Sequence, residues 1–388
     1  MDNITDQKLV KKVMAFKSGQ FVFSRNFDRV ALERLFIEAR VLKETVADLS
    51  VLPWFAAKLE EDTIRRAIHS TAAIEGNPLS EEQVGEILAN PKEAKTSARA
   101  EKEIRNLREA YRVCRDLALR GDSFKLEERM IRILHQTITK DIPHGHNLPG
   151  RHRGHLVKVG DKEHGGVYTP PKIPKDIQAL LAEFIAWING DDLMAGEPPI
   201  RAALAHYHLG LIHPFSDGNG RTARLVEALI LQSQGIGHLP VMLSNYYYTH
   251  LDDYHWAFTR SQRSKDHDVT PFLELVLKAF IAALYELKGK MTGHIRRFAM
   301  RDFLVKLRAN RTLNQRQHDL LALLLAHDRS VSIKDLLTDP IFQALYRSVW
   351  ERTAWRDMKK LIGLGLLTPA LENGFRLGLR ALDHFRAA

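Results

Sequence analysis

The sequence contains one cysteine, Cys114, in 388 residues. A lone thiol forms neither an intramolecular disulfide nor a cysteine-based zinc site, and a disulfide-free chain fits a reducing, cytoplasmic setting. Long apolar runs are also missing. Nothing approaches the ~20 residues that a membrane helix needs, and the opening residues MDNITDQKLVKKVMAFK lack the apolar centre of a secretion signal. Internal repeats and low-complexity tracts are absent. The expectation is a soluble protein with no membrane partner.

What is present reads as globular: 45% hydrophobic and 27% charged residues, in a chain long enough for two or three domains. There are 57 Lys and Arg against 47 Asp and Glu, a formal charge of +10. Residues 295–388 hold 17 of the basic and 9 of the acidic groups, so +8 of that charge falls in the last quarter. A local basic excess is most often a solvated face, but the pattern here adds to it. Residues 314–326 and 332–337 read as short helices, the second with Ser332 as N-cap. Residues 348–364 read as a third, carrying Trp350, Met358 and Leu361 among Arg352, Arg356, Lys359 and Lys360. Beyond it, 366–369 and 375–379 flank Glu372-Asn373-Gly374, a hairpin turn signal. Three helices and a hairpin describe a winged helix-turn-helix, a module that binds DNA or docks protein.

Upstream, helical periodicity dominates. Residues 28–49 space Val30, Leu32, Leu35, Phe36, Ala39 and Leu42 as one apolar face. Residues 62–74 predict a helix broken by Gly76-Asn77-Pro78, and 80–88 one that starts on a Ser80/Gln83 capping box. Residues 98–119 and 127–138 follow. The period then fails through 143–174, where a short alternating run at 155–160 suggests an exposed hairpin flap. Its histidines His144, His146, His152, His155 and His164 have no cysteine partner and read as ordinary loop residues. Helices resume at 175–188, 200–212, 220–233 and 272–287.

The chemistry concentrates between two of these helices, in His213-Pro214-Phe215-Ser216-Asp217-Gly218-Asn219-Gly220-Arg221-Thr222-Ala223-Arg224. Gly218 and Gly220 permit a tight turn whose N–H groups converge at a helix N-terminus, a natural anion site. Arg221 and Arg224 lie three apart and can face one ligand. Asp217 is a hard oxygen ligand beside that anion site, suited to Mg²⁺ shared with a nucleotide. His213 is placed as general base. Base, metal ligand, anion nest and paired guanidiniums within twelve residues point to phosphoryl or nucleotidyl transfer.

This stretch matches every defined position of HxFx(D/E)GNGRxxR, and residues 30–290 resemble the Fic (Fic/DOC) family of protein adenylyltransferases. The resemblance implies a mainly α fold: a Fic-type helical core with a β-hairpin flap, here with the C-terminal winged helix added. It implies an N-terminal helical region at 1–120, a catalytic core at 121–293 with the flap at 148–171, and the winged helix at 294–388. Family members transfer AMP from ATP to a Ser, Thr or Tyr hydroxyl of a target protein. His213 would then deprotonate the hydroxyl, Asp217 would hold Mg²⁺, and Gly218, Asn219 and Gly220 would cradle phosphate, with Arg221 and Arg224 at its β/γ end. Phe215 would be a core anchor. Doc-type relatives, which phosphorylate, carry Lys where this chain has Gly220.

A second motif, Thr71-Ala72-Ala73-Ile74-Glu75-Gly76, resembles the family's inhibitory (S/T)xxxE(G/N). Thr71 and Glu75 share a helix face. By resemblance Glu75 would pair with Arg224 in cis and leave ATP unproductive. The flap would add a strand from the target, with Leu156 and Val157 as contacts. Asn245 and Tyr248 resemble the adenine border. Two other readings stand beside adenylyl transfer: removal of AMP or transfer of another phosphate group on the same fold, and a DNA-binding regulator whose Fic domain senses nucleotide. Partners implied are ATP and a hydroxyl-bearing protein, this chain included, with DNA and a homodimer as options.

Overall fold

A computed structural model describes residues 11–16, 19–90, 99–119, 124–143, 145, 148–235, 242–370 and 374–384. His144, His146 and the Glu372-Asn373 half of the expected turn lie outside the described residues. Contacts divide the chain into two units, Met1–Asp48 with Leu52–Leu287, and Leu49–Val51 with Lys288–Ala388. The expected N-terminal region and catalytic core thus share one unit.

That unit opens with a hairpin that the helical reading did not anticipate, β1 (Lys11–Phe16) antiparallel to β2 (Gly19–Ser24) with Val13 opposite Val22. Phe21 and Phe23 alternate inward, and Phe23 lies 5.4 Å from the Trp187 ring and 5.5 Å from His208. Next comes α1 (Arg29–Ala47), capped by Asp28, whose carboxylate accepts from the Ala31 N–H at 2.9 Å. It buries Leu32, Phe36, Ala39 and Leu42 as its spacing predicts, while Val30 is 86% exposed. Helix α2 (Pro53–Ile74) starts nine residues before the sequence reading had it. Pro53 at its first turn has a preset φ and lacks only an N–H that the helix cannot use. The capping box appears as expected at the start of α3 (Glu81–Ala89).

After α4 (Arg99–Ala118) and α5 (Glu128–Ile138), the flap contains a single antiparallel bridge, Val159 to Tyr168, rather than two strands. Then follow α6 (Pro174–Ile188), α7 (Asp191–Met194), α8 (Pro198–Ile212) and α9 (Asn219–Ser233). Helix α9 is central. It buries Leu225, Val226, Leu229, Ile230 and Leu231 on several faces, each worth ~2 kcal/mol, and so carries Arg221, Arg224 and Glu227 into the interior. The unit closes with α10 (Leu243–Thr249), α11 (Leu251–Arg263) and the first part of α12 (Thr270–Ala309).

Helix α12 runs for 40 residues, past the expected end at Leu287. Gly289 and Gly293 do not stop it, because Met291, Met300, Leu304 and Leu307 continue a buried stripe. In the second unit α13 (Gln315–His327) and α14 (Ile333–Thr338) begin on capping boxes at Asn314 and at the expected Ser332. A further helix, α15 (Pro340–Tyr346), precedes α16 (Glu351–Gly363); Trp350 stands at the N-cap position of the latter with no capping side-chain hydrogen bond and is exposed. Buried Asp357 accepts from Arg316 Nε at 2.7 Å and Gln317 Nε2 at 2.8 Å, fastening α13 to α16. Strands β3 (Leu367–Pro369) and β4 (Phe375–Leu377) form the hairpin, and α17 (Ala381–His384) follows. Helices then a hairpin are consistent with the winged-helix expectation, and Arg352, Arg356 and Lys359 line an exposed face of α16. Among the described residues no helix is long and apolar enough to cross a membrane.

Candidate active site

Helix α8 ends on His213, which takes the left-handed conformation (φ 48°, ψ 58°) just before Pro214. Proline cannot continue the helix, and the reversal turns the imidazole out of the α8 stack. His213 Nδ1 lies 3.2 Å from the Gly210 carbonyl. A carbonyl only accepts, so Nδ1 carries the proton and Nε2 keeps its lone pair. Burial pushes the ring down to about 4, against the Gly210 carbonyl that favours its charged form. Near neutral pH it is an uncharged base.

The loop beyond is braced from inside. The Asn219 side chain accepts from the Phe215 N–H at 2.9 Å and donates to the Phe215 carbonyl at 2.8 Å. Its amide is therefore occupied, and what Asn219 offers a ligand is backbone. Phe215 is buried, with the His135 ring stacked on it at 3.7 Å. His135 Nδ1 accepts from the Gly150 N–H, so Nε2 donates to the Asp217 carbonyl, both at 3.0 Å. Gly218 combines a positive φ of 74° with close approach, since a Cβ would sit 3.2 Å from Thr139. The first α9 hydrogen bond is Thr222 N–H to the Gly218 carbonyl. The N–H groups of Asn219, Gly220 and Arg221 thus have no acceptor within the helix and face its end.

A carboxylate already sits there. A Cβ on Gly220 would collide with Glu75 Oε1. Glu75 caps the C-terminus of α2, and Gly76 (φ 83°) turns the chain away directly after it. Arg224 Nη2 donates to Glu75 Oε1 at 2.7 Å, Nε to Thr71 Oγ1 at 2.8 Å, and Nη1 to Tyr254 Oη at 3.3 Å. Burial raises the Glu75 carboxyl, but Arg224 and then Arg221 outweigh it and hold it below the ordinary carboxylate range. Arg221 faces Asp217 at 3.3 Å and Glu103 at 3.7 Å, and its Nε is buried without a partner among the described residues. Asp217 Oδ2 lies 3.4 Å from Arg99. One side chain there is a single hard carboxylate at an anion-binding helix end, which suits Mg²⁺ held jointly with phosphate oxygens.

One cavity of about 350 Å³ brings together Glu75, His213, Gly220, Arg224, Tyr254 and the flap residue His164. Asn245 and Tyr248 do not reach it. They line a separate cavity with Ser70, whose hydroxyl donates to Asn245 Oδ1 at 2.9 Å. On that side α11, through Tyr254, His255 and Phe258, walls the cavity that holds His213. Leu156 is exposed and Val157 half-buried on the flap, and neither lines that cavity.

The sequence reading also missed Arg153. It lies within the flap, is buried, and donates to the carbonyls of His213 (2.7 Å), His155 (2.9 Å) and Pro171 (2.5 Å). One guanidinium thereby fixes both flap ends and the base. Only its position after Gly150 and before a loop hinted at it.

Three rings, His135, His208 and His213, are pushed by burial to about 4. The unfolded chain takes up protons near the ordinary ~6.5, the folded one near 4, so stability falls as pH drops through that window and levels off below it. For the fully buried His135 and His208 the loss is ~3 kcal/mol each. A urea midpoint clearly lower at pH 5 than at pH 7.5 is expected; an unchanged midpoint would sink this assignment.

Comparison with known proteins agrees with this geometry. Residues 125–231 match the Fic/DOC family model. Protein adenylyltransferase fic-1 of Caenorhabditis briggsae is 32% identical over 244 residues, covering 60% of this chain and 43% of that protein. The chain thus spans less than half the length of this curated relative. The solved structure of Fic-1 (aa134 - 508) from C. elegans superposes with a TM-score of 0.52 at 26% identity, covering 67% of this chain and 72% of that one. A Fic family protein from Desulfovibrio desulfuricans G20 shares the fold, with a TM-score of 0.55 at 20% identity over 89% of this chain and 95% of that one. Base, bracing asparagine and arginine pair all lie at the motif positions of the segment, residues 125–231, that matches the Fic/DOC family model.

Proposed function

We propose that the protein is an adenylyltransferase that moves AMP from ATP to a Ser, Thr or Tyr hydroxyl of a target protein, and that Glu75 holds it inactive in cis. One observation carries the proposal: the Glu75 carboxylate lies at the N-terminus of α9, bonded to Arg224, in the cavity that contains His213. A carboxylate that rests in an anion nest marks where a phosphate goes.

In this reading ATP places its phosphates over the N–H groups of Asn219, Gly220 and Arg221. Arg221 and Arg224 grip the β/γ end, Arg224 on the γ-phosphate, for which the fork geometry of guanidinium is suited. Asp217 would hold Mg²⁺, which neutralises charge on the phosphates when bound. His213 Nε2 takes the proton as the target oxygen attacks the α-phosphorus; the bond to the bridging oxygen breaks and pyrophosphate leaves. The flap, tied at both ends to Arg153, presents an extended target segment beside His213, with Leu156 and Val157 as its contacts.

The same residues would serve AMP removal if Glu75 instead ordered a water, so direction of reaction depends on Glu75. A sensor without catalysis is the weaker reading, because it has no use for an uncharged His213 with a free Nε2. The test is a lysate incubated with the Glu75→Gly variant and ATP, followed by mass spectrometry. AMP on hydroxyl side chains is expected. Phosphate in its place, or no modification, would sink the proposal.

A further inference from the structure

Behind Arg224 lies a polar chain that the motif does not include. Glu227, one turn further along α9, is 1% exposed, and His206 on α8 is wholly buried. Glu227 Oε1 lies 3.2 Å from His206 Nδ1 and accepts from Tyr247 Oη at 3.0 Å. His206 Nε2 lies 2.9 Å from Tyr254 Oη, which in turn accepts from Arg224 Nη1 at 3.3 Å. In the neutral ring, a carboxylate beside Nδ1 draws the proton there, and Nε2 accepts from the tyrosine hydroxyl. The Tyr254 oxygen is then turned with a lone pair toward Arg224. The His206–Glu227 link is an electrostatic contact whose geometry falls short of a hydrogen bond; the other links are hydrogen bonds, costly to break in a buried site.

The origin of the contacts matters. Arg224 reaches Thr71 Oγ1, the Thr71 carbonyl and Glu75, all on α2 or its cap, and Tyr254 on α11. Among the described residues Tyr254 is the one hydrogen-bond acceptor of Arg224 that does not belong to the α2 end. If that end withdraws, the guanidinium keeps only this partner, and a freed Arg224 would otherwise swing among rotamers. We propose that Tyr254, oriented by the buried His206–Glu227 pair, holds Arg224 in its phosphate-facing position once Glu75 has left. His206 and Glu227 are positioning residues in this scheme. The inference rests on the nucleotide reading of the site.

The test uses the full chain carrying Glu75→Gly and measures dissociation constants for ATP and ADP calorimetrically. Tyr254→Phe removes one oxygen and keeps the ring. His206→Phe keeps an aromatic ring among Tyr247, Phe258 and Phe272 while removing the acceptor for Tyr254. Each should weaken ATP about tenfold, the size of one charge-assisted hydrogen bond, and change ADP less than about twofold, because ADP lacks the group that Arg224 grips. His206→Gln, which restores an acceptor, should recover part of the ATP affinity. A merely structural role would weaken both nucleotides alike. Equal losses for ATP and ADP, or no loss, would overturn the relay. Failure of ATP to bind the Glu75→Gly chain at all would overturn the nucleotide reading and the relay with it.

Discussion

Replacing Glu75 with glycine is expected to raise AMP transfer by about 10- to 100-fold. The estimate follows from the contact being removed. A hydrogen bond between a carboxylate and a guanidinium contributes about 1.5–3 kcal/mol, and each 1.4 kcal/mol is a factor of ten. Glu75 competes with phosphate for the same donors, Arg224 Nη2 and the end of α9. The substitution also clears the space above Gly220. Arg224 does not collapse when the carboxylate goes, because Thr71 and Tyr254 still hold it. Backbone strain is not introduced, as Glu75 has an ordinary φ of −92°. Initial rates of label incorporation from α-labelled ATP, wild type against Glu75→Gly, check the claim. Equal rates would mean that the carboxylate does not guard the site.

His213→Ala in the Glu75→Gly background should lower transfer by about 10²–10⁴-fold, the span that a positioned base contributes. Alanine leaves the anion nest, Asp217 and both arginines in place, so ATP should bind with little change. That separation of binding from chemistry is the signature of a base. Because burial holds the His213 ring near 4, transfer should stay level from pH 8 down to about 5.5 where the fold persists, and fall only as pH nears 4. A decline centred near 6.5, or retained transfer with alanine, would remove His213 from the role.

The reach of the sequence follows from how local each feature is. His213, Asp217, Gly220, Arg221 and Arg224 sit on one turn and the helix after it, so their spacing alone places them together. Thr71 and Glu75 were legible as a helix face, and their partner Arg224 came from the family resemblance rather than from spacing. Arg153, His135 and Tyr254 were not legible, because each acts through contacts between segments far apart in the chain. Asn219 shows a subtler limit: it lies at the start of α9 as its spacing indicates, but its side chain braces the Phe215 backbone. Asn245 and Tyr248 of α10 line a different cavity from the α11 residues beside His213, a separation that adjacency in the sequence does not reveal. At the level of the fold, helix faces were readable, whereas the β1–β2 hairpin was short and the full length of α12 ran through glycines that usually signal an end.

On the proposed reading, the Glu75 carboxylate occupies the place of a nucleotide phosphate beside a working base. The most direct measurement compares α-labelled and γ-labelled ATP, with Mg²⁺, in the wild type, Glu75→Gly and Glu75→Gly/His213→Ala chains. Label from the α position should appear on protein strongly in Glu75→Gly, weakly in the wild type, and scarcely in the double variant, with none from the γ position. Transfer of the γ label, or no difference between Glu75→Gly and wild type, would contradict it.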